Sequence, residues 1–124
     1  MKTIQTNNAP NPIGPYSQGI VSGGFLYTAG QVGLDPPTGK IVDGGVREQT
    51  RRVMENLKAI LEKANSSFDK VVKTTVYLKE PGMFKEMNEV YASFFKDHKP
   101  ARSTVVCGFM REEVLVEIDV IAQV

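Results

Sequence analysis

The stretch VLVEIDVIAQV, residues 114–124, alternates in character along its length. In an extended strand, successive side chains point to opposite faces. One face is then wholly apolar, with Val114, Val116, Ile118, Val120 and Ala122. The other face carries Leu115, Glu117, Asp119 and Ile121, so two carboxylates lie among apolar neighbours. The pattern predicts a final strand whose apolar face packs on helices and whose other face presents two carboxylates on the opposite side of the sheet.

The preceding chain predicts the rest of the domain. Apolar residues at helical spacing indicate helices over Val46–Ala64 and from about Pro81 to before Pro100. The β-branched runs Val71–Leu78 and Arg102–Gly108 indicate strands. A Gly-Gly pair at residues 23–24 predicts a hairpin between runs 19–22 and 25–29. The order is β-β-α-β-α-β-β, and a short first strand at residues 3–5 is compatible with it.

This order predicts a single α+β domain over residues 1–124, with both helices on one face of the sheet. Strand directions stay open at this point, because the helices leave room for parallel crossovers. The uncovered face is too apolar to remain in water, so we expect self-association.

The composition excludes several classes of function. Fifteen basic and fourteen acidic residues give a net charge of +1 with no basic stripe, so nucleic acid is not an expected partner. One cysteine, Cys107, and one histidine, His98, are too few for a dedicated metal site. No apolar run approaches the ~20 residues of a membrane span, and residues 1–8 lack a signal-peptide core. We therefore expect a cytoplasmic protein without a metal or cofactor.

Arg102 and Glu117 are the residues that point to chemistry. Arg102 begins a strand, where its guanidinium could hold a carboxylate through two parallel N–H bonds, although a surface salt bridge explains it equally well. Glu117 interrupts an apolar strand, so it is paired, solvated, or used to position and activate a water. His98, at the polar end of a helix, offers no nucleophile pair, and no G-x-G-x-x-G or Walker loop is present.

Tyr16 and Ser17 follow a proline-rich loop, residues 8–15. Such a loop holds side chains rigidly, so the Tyr16 hydroxyl could close a pocket. The alternative is an aromatic ring packed on the core.

The relation between Arg102 and Glu117 depends on the last two strands. If these strands form a hairpin with an even loop, Arg102, Thr104 and Val106 share a face with Glu117. A two-residue turn at Arg111-Glu112 then places Arg102 opposite Ile121, and Glu117 lies roughly 13 Å along the strand. A site completed across a subunit boundary would bring the two groups to one ligand.

Short segments over nearly the whole chain carry a family likeness. They are Asn8-Ala9-Pro10, Ile13–Gln18, Ala29-Gly30-Gln31, Gln49-Thr50-Arg51, Asn56–Leu61, Val72–Leu78, Phe84, Met87–Tyr91, Phe94-Phe95, Pro100–Ser103 and Val116-Glu117-Ile118. Each segment is weak alone, but in this order and spacing they resemble the RidA (YjgF-type) imine-deaminase family.

The resemblance implies a chorismate-mutase-like fold with a mixed sheet, assembled as a homotrimer with clefts between subunits. It also implies cofactor-free hydrolysis of 2-iminopropanoate and 2-iminobutanoate to 2-oxo acids and ammonia, which protects pyridoxal-phosphate enzymes from these reactive imines. The catalytic residues would be Arg102 on the substrate carboxylate, Glu117 on the attacking water, and Tyr16 at the cleft. The substrate-binding residues would be Gly30 and Thr104 through their backbones, with Asn88, Tyr91 and Ser17.

Two departures and two alternatives accompany this reading. Many relatives have cysteine where this chain has Thr104, and Leu-Pro where it has Phe109-Met110, so the shape of that loop is open. The first alternative is a non-catalytic binder of small metabolites. The second is an endoribonuclease or translation inhibitor, which the near-zero net charge and the single His98 disfavour.

Overall fold

The computed structural model describes residues 1–124 as one sheet of seven strands and two α-helices. Two short 3-10 turns, Phe68–Lys70 and Pro81–Met83, precede β5 and α2. The elements are β1 Lys2–Ile4, β2 Gly19–Ser22, β3 Phe25–Thr28, β4 Gln31–Val32, α1 Gly45–Lys63, β5 Val71–Leu78, α2 Phe84–Phe95, β6 Ala101–Val106 and β7 Val116–Gln123.

The sheet order is β1-β2-β3-β7-β5-β6, and β4 pairs with β7 beyond the end of β3. The β5–β6 pair is parallel and every other pair is antiparallel. Since α2 connects β5 to β6, the parallel pair is a β-α-β crossover. The predicted α+β class, with two helices on a mixed sheet, is confirmed.

The apolar face of β7 lies at the centre of the core. Its even-numbered residues from Val116 to Ala122 are at most 1% exposed and belong to one buried cluster with both helices. From α1, Leu57, Ile60 and Leu61 are fully buried in this cluster. Each such side chain contributes about 1.5–3 kcal/mol of burial free energy. The alternation in residues 114–124 thus fixes which side of the sheet the helices cover.

The predicted hairpin between the last two strands is wrong. β7 pairs with β5 and β3, whereas β6 pairs only with β5, so β5 separates the two strands. The connection between β6 and β7 crosses the end of β5 instead. The Cys107 amide donates to the Leu78 carbonyl, and the Lys79 amide donates to the Leu115 carbonyl. Because one face of β7 is wholly apolar, this strand gains more burial at the sheet centre than beside the edge strand β6.

A buried side-chain amide holds the proline-rich loop of residues 8–15 in place. Gln18 is 1% exposed. Its Oε1 accepts from the Thr6 amide at 2.7 Å, and its Nε2 donates to the carbonyls of Thr6, Ala9 and Pro10 at 2.9–3.3 Å. A loop without regular hydrogen bonds thereby satisfies its main-chain groups.

Gln49 and Asn56, both buried on α1, hold two other loops in the same way. Their main-chain partners are Glu113 and Leu115 for Gln49, and Val32 and Leu34 for Asn56. We call these three residues the amide clamps. Neither α-helix is long and apolar enough to cross a lipid bilayer.

The Gln18 clamp generates a stability prediction. Gln18→Ala should lower the free energy of unfolding by about 2–4 kcal/mol, because it leaves buried main-chain groups without partners. The measurement is urea unfolding at one protein concentration. Gln5→Ala is the matched control, because Gln5 is exposed and bonds only Asn11, and its effect should stay within about 0.5 kcal/mol. Equal effects of the two variants would contradict the clamp.

Candidate functional site

The predicted site residues fall into two groups on opposite faces of the sheet. Arg102 pairs with Thr74, which is buried under the helices, so Arg102 lies on the helix-covered face. Glu117 pairs with Tyr77 on the open face. We call the first group, around Arg102, the arginine half-site, and the second, around Glu117, the glutamate half-site.

The Arg102 guanidinium is held from three sides in the arginine half-site. Its Nη1 donates to Asn88 Oδ1 at 2.7 Å. Its Cζ lies 4.8 Å from the Tyr91 ring centroid and 5.5 Å from the Phe84 ring centroid. Contacts of this kind between a guanidinium and aromatic rings contribute about 0.5–1 kcal/mol each at exposed positions. No carboxylate pairs with Arg102, so the surface salt bridge considered above is absent and the guanidinium can take an anionic ligand.

Tyr91 anchors this arrangement from below. Its hydroxyl shares a hydrogen bond of 2.8 Å with the buried Thr74 hydroxyl. Burial raises the pKa of Tyr91 above its ordinary value, against the opposing effects of Thr74 and Arg102. The ring therefore stays neutral at physiological pH. Thr104 lies on the same face, two residues beyond Arg102, and a groove of about 410 Å3 opens beside Asn88, Tyr91 and Arg102.

The glutamate half-site is built where β7 passes the turn between β3 and β4. The Glu117 side chain lies directly over Gly30, and a Cβ added at Gly30 would lie 2.8 Å from the Glu117 Cδ. Glycine at position 30 is therefore a steric requirement of the Glu117 position. Glu117 forms no ion pair and no side-chain hydrogen bond within the chain, so it is not paired with an arginine or any other side chain.

Burial raises the pKa of the Glu117 carboxyl above its usual range, and the neighbouring Asp119 raises it further. Burial also raises the pKa of Asp119, while the Tyr77 hydroxyl and Lys73 act in the opposite direction. A half-buried carboxylate without a partner has the raised proton affinity that suits a base acting on water.

Tyr16 lies on the same groove as Gly30 of the glutamate half-site and is not part of the core. Its side chain is 53% exposed, which rules out an aromatic buried against the core. With Gly30 it lines a groove of about 460 Å3, whose walls include two clamped loops. Ser17 is half-buried between Tyr16 and the Gln18 clamp.

Within one chain, the two half-sites do not meet. Arg102 aligns with Thr74 on β5, and Glu117 aligns with Tyr77, three residues further along. Two strand spacings and three residues separate their Cα atoms by about 14 Å. Their side chains also leave opposite faces, so the shared face predicted for Arg102, Thr104, Val106 and Glu117 is wrong. That prediction assumed direct pairing of β6 with β7, and the intervening β5 reverses it.

Sequence reasoning missed the roles of Phe84, Asp119 and Tyr77 around these groups. The helical spacing assigns Phe84 to the apolar stripe of α2, and nothing local indicates that its ring also contacts Arg102. Asp119 was visible, because it shares an alternating face with Glu117 in the sequence. No group of three or more histidine, cysteine, aspartate or glutamate side chains is arranged to hold a metal ion.

Comparisons with known proteins give a consistent result over the whole chain. The family model described as Endoribonuclease L-PSP matches residues 6–124. A RutC family protein of Pyrococcus horikoshii is 54% identical over 121 residues, covering 98% of this chain and 96% of the relative. A solved Rid family protein of Yersinia pestis has a TM-score of 0.95 at 44% identity, covering 99% of this chain and 98% of that one. E. coli TdcF, solved with bound serine, has a TM-score of 0.93 at 38% identity, covering 100% of this chain and 99% of that one.

The contact between Gly30 and Glu117 can be tested by adding one methyl group. Gly30→Ala should move the Glu117 carboxylate by an ångström or more, because the new Cβ would overlap it, while the fold is retained. A crystal structure of the variant measures the displacement. Gly82→Ala is the control, because no atom lies within 4 Å of its added Cβ. A Glu117 side chain that keeps its position in Gly30→Ala would contradict the close contact.

Proposed function

From the premise that this chain belongs to the endoribonuclease L-PSP family, with RutC and Rid proteins among its relatives, we propose that it is a cofactor-independent imine deaminase. Its substrates would be 2-iminopropanoate and 2-iminobutanoate, and its products the corresponding 2-oxo acids and ammonia. The observation that carries the proposal is an unpaired, pre-oriented Arg102 guanidinium together with an unpaired Glu117 carboxylate in the same small chain.

The chemistry needs only what these residues offer. An imine carbon is electrophilic, so a positioned water can attack it without a covalent nucleophile. In the proposed mechanism, Arg102 holds the substrate carboxylate and Glu117 accepts a proton from the attacking water. The backbones of Gly30 and Thr104 orient the ligand, and the Tyr16 hydroxyl closes the site. Asn88 and Tyr91 act through Arg102, because they hold its guanidinium in place.

We further propose that each site combines half-sites from two copies of the chain, in a homotrimer with clefts between subunits. Arg102 and Glu117 leave opposite faces of one sheet, so no side-chain rotation joins them around a ligand of a few carbons. A second copy can supply the missing group. The apolar surface available for association includes Val105 on β6 and Tyr27 on β3, which are 43% and 46% exposed.

A small carboxylate ligand is also in line with the serine bound to E. coli TdcF. For this protein, the proposed location is the cytoplasm. Its one free cysteine cannot form an internal disulfide, and unpaired thiols are typical of reducing compartments.

A ribonuclease is less compatible with these residues. General acid–base cleavage of RNA usually relies on histidine, and the only one, His98, bonds the Val71 carbonyl through Nε2 at 2.6 Å. The net charge of +1 gives no field that would attract a polyanion. A purely binding protein would bind the same ligands without accelerating the loss of the imine.

The proposal predicts separate effects of the two key residues. With imine supplied by a threonine dehydratase, Arg102→Lys should raise KM, because lysine cannot form the paired N–H bonds. Glu117→Gln should lower kcat by about 100-fold or more, because the base is lost. Arg51→Lys on the exposed side of α1 is the control and should leave both constants unchanged. Binding of a 2-oxo acid that depends on Arg102, without any acceleration of imine loss, would indicate a binding protein instead.

The composite site predicts complementation between inactive variants. Arg102→Ala and Glu117→Gln chains, unfolded together and refolded as a mixture, should recover about a quarter of the wild-type activity, because one site in four then receives an intact residue from each copy. Arg102→Ala mixed with the double variant should recover nothing, since no chain supplies Arg102. Recovery absent from both mixtures would mean that the two residues do not share a site across copies.

A further inference from the structure

The open face of β7 carries a second carboxylate that the proposed mechanism does not use. Asp119 lies two residues beyond Glu117 on the same face and is half-buried. The Tyr77 hydroxyl donates to Asp119 Oδ2 at 3.3 Å, and Tyr77 is itself the cross-strand partner of Glu117. Tyr77 is therefore opposite Glu117 in the register and binds Asp119 through its hydroxyl, so both carboxylates share one surface with this tyrosine.

No cation neutralises this pair within the chain. Lys73, on β5, is the only basic residue that acts on Asp119, and its Nζ donates instead to the Ser103 hydroxyl at 2.9 Å and the Thr74 carbonyl at 3.3 Å. β6 presents only uncharged side chains on this face. The titratable or charged groups facing the two carboxylates from the neighbouring strands and the β6–β7 connection are Lys73 and Tyr77 from β5, Tyr27 from β3, and Cys107.

Two carboxylates that share a half-buried surface cannot both ionise as readily as isolated ones. The negative charge on one increases the proton affinity of the other, and their titrations become coupled. Burial is the larger cause of the raised pKa of Glu117, and Asp119 is the second. Burial raises the pKa of Asp119, and the hydrogen bond from Tyr77 acts in the opposite direction by favouring the charged form. An ionised Asp119 therefore strengthens Glu117 as a base.

We propose that Asp119, held by the Tyr77 hydroxyl, is a positioning residue that gives the Glu117 carboxylate the proton-accepting strength needed to activate water. This inference rests on the proposed imine hydrolysis. Glu117 takes a proton from water as the oxygen bonds to the imine carbon, and it passes this proton to the nitrogen, which gives the carbinolamine. When the carbinolamine collapses, Glu117 takes the hydroxyl proton and transfers it to the nitrogen, the C–N bond breaks, and ammonia leaves, so Glu117 ends as a carboxylate. Asp119 exchanges no proton in this sequence and acts through its charge.

The test is the pH dependence of kcat/KM. In the wild type, activity should fall on the acid side as Glu117 is protonated, at a pH above the ordinary glutamate value of about 4.3. Asp119→Asn should move this acid limb to lower pH by roughly half a unit or more, because the neighbouring charge is gone. It should also lower the plateau about threefold, because a weaker base transfers the proton less well. The affinity for 2-oxobutanoate should stay within about twofold, since Arg102 binds its carboxylate.

Three variants separate this role from a structural one. Asp119→Glu keeps the charge and should keep the acid limb. Tyr77→Phe keeps an aromatic ring at the position opposite Glu117 but removes the hydrogen bond to Asp119, so the acid limb should move in the same direction by a smaller amount. Glu62→Gln removes one exposed carboxylate of α1 and should change nothing. An unchanged acid limb in Asp119→Asn, with only lower thermal stability, would overturn the proposal.

A second measurement distinguishes failure of this inference from failure of the proposed function. The Glu117 carboxyl can be titrated by 13C NMR in the protein without substrate, with Glu117→Gln used to assign its resonance. The Glu117 titration should move to lower pH in Asp119→Asn whether or not imines are hydrolysed. A shifted titration in an inactive protein would refute imine hydrolysis and retain the coupling. An unshifted titration would refute the coupling, whatever the activity.

Discussion

The position of β5 between β6 and β7 is the constraint on which the rest of the structure depends. Because β5 pairs with both strands, the side-chain alternation of all three is in phase. Arg102 pairs with Thr74, so both side chains point to the helix-covered face. Glu117 pairs with Tyr77, so both of these point to the open face. This arrangement provides each group with its own surroundings: aromatic rings for the guanidinium, and a glycine and a second carboxylate for Glu117.

The local pattern of the sequence was sufficient for most of the fold. The alternation of residues 114–124 and the helical spacing of residues 46–64 correctly indicated which residues form the core, because both periodicities reflect burial directly. Val71–Leu78 was predicted with its observed bounds. The pairing of the last two strands was wrong, because adjacency in the chain favours a hairpin, whereas burial of β7 at the sheet centre requires contacts with β3 and β5. The two-residue strand β4 has no local signal and forms only because β7 lies beside it.

For the candidate site, the identities of the functional residues were easier to predict than their relative positions. Arg102 and Glu117 were identifiable singly, because a charged residue in an apolar strand needs a partner or a function. Their relation depended on strand order, which no local pattern contains. The role of Phe84 was also not predictable. Helical spacing places its ring on the apolar stripe of α2, but the same spacing fits a ring that packs on the core and a ring that contacts a guanidinium.

The amide clamps have a consequence for how the pocket can change. Gln18, Gln49 and Asn56 bond loop main-chain groups and hardly any loop side chain. Hydrogen bonds to main-chain groups do not depend on which side chains the loop residues carry. The residues that face a ligand from these loops can therefore be exchanged while the loop path persists, so one scaffold can present different linings and adopt new ligand preferences without rebuilding its walls.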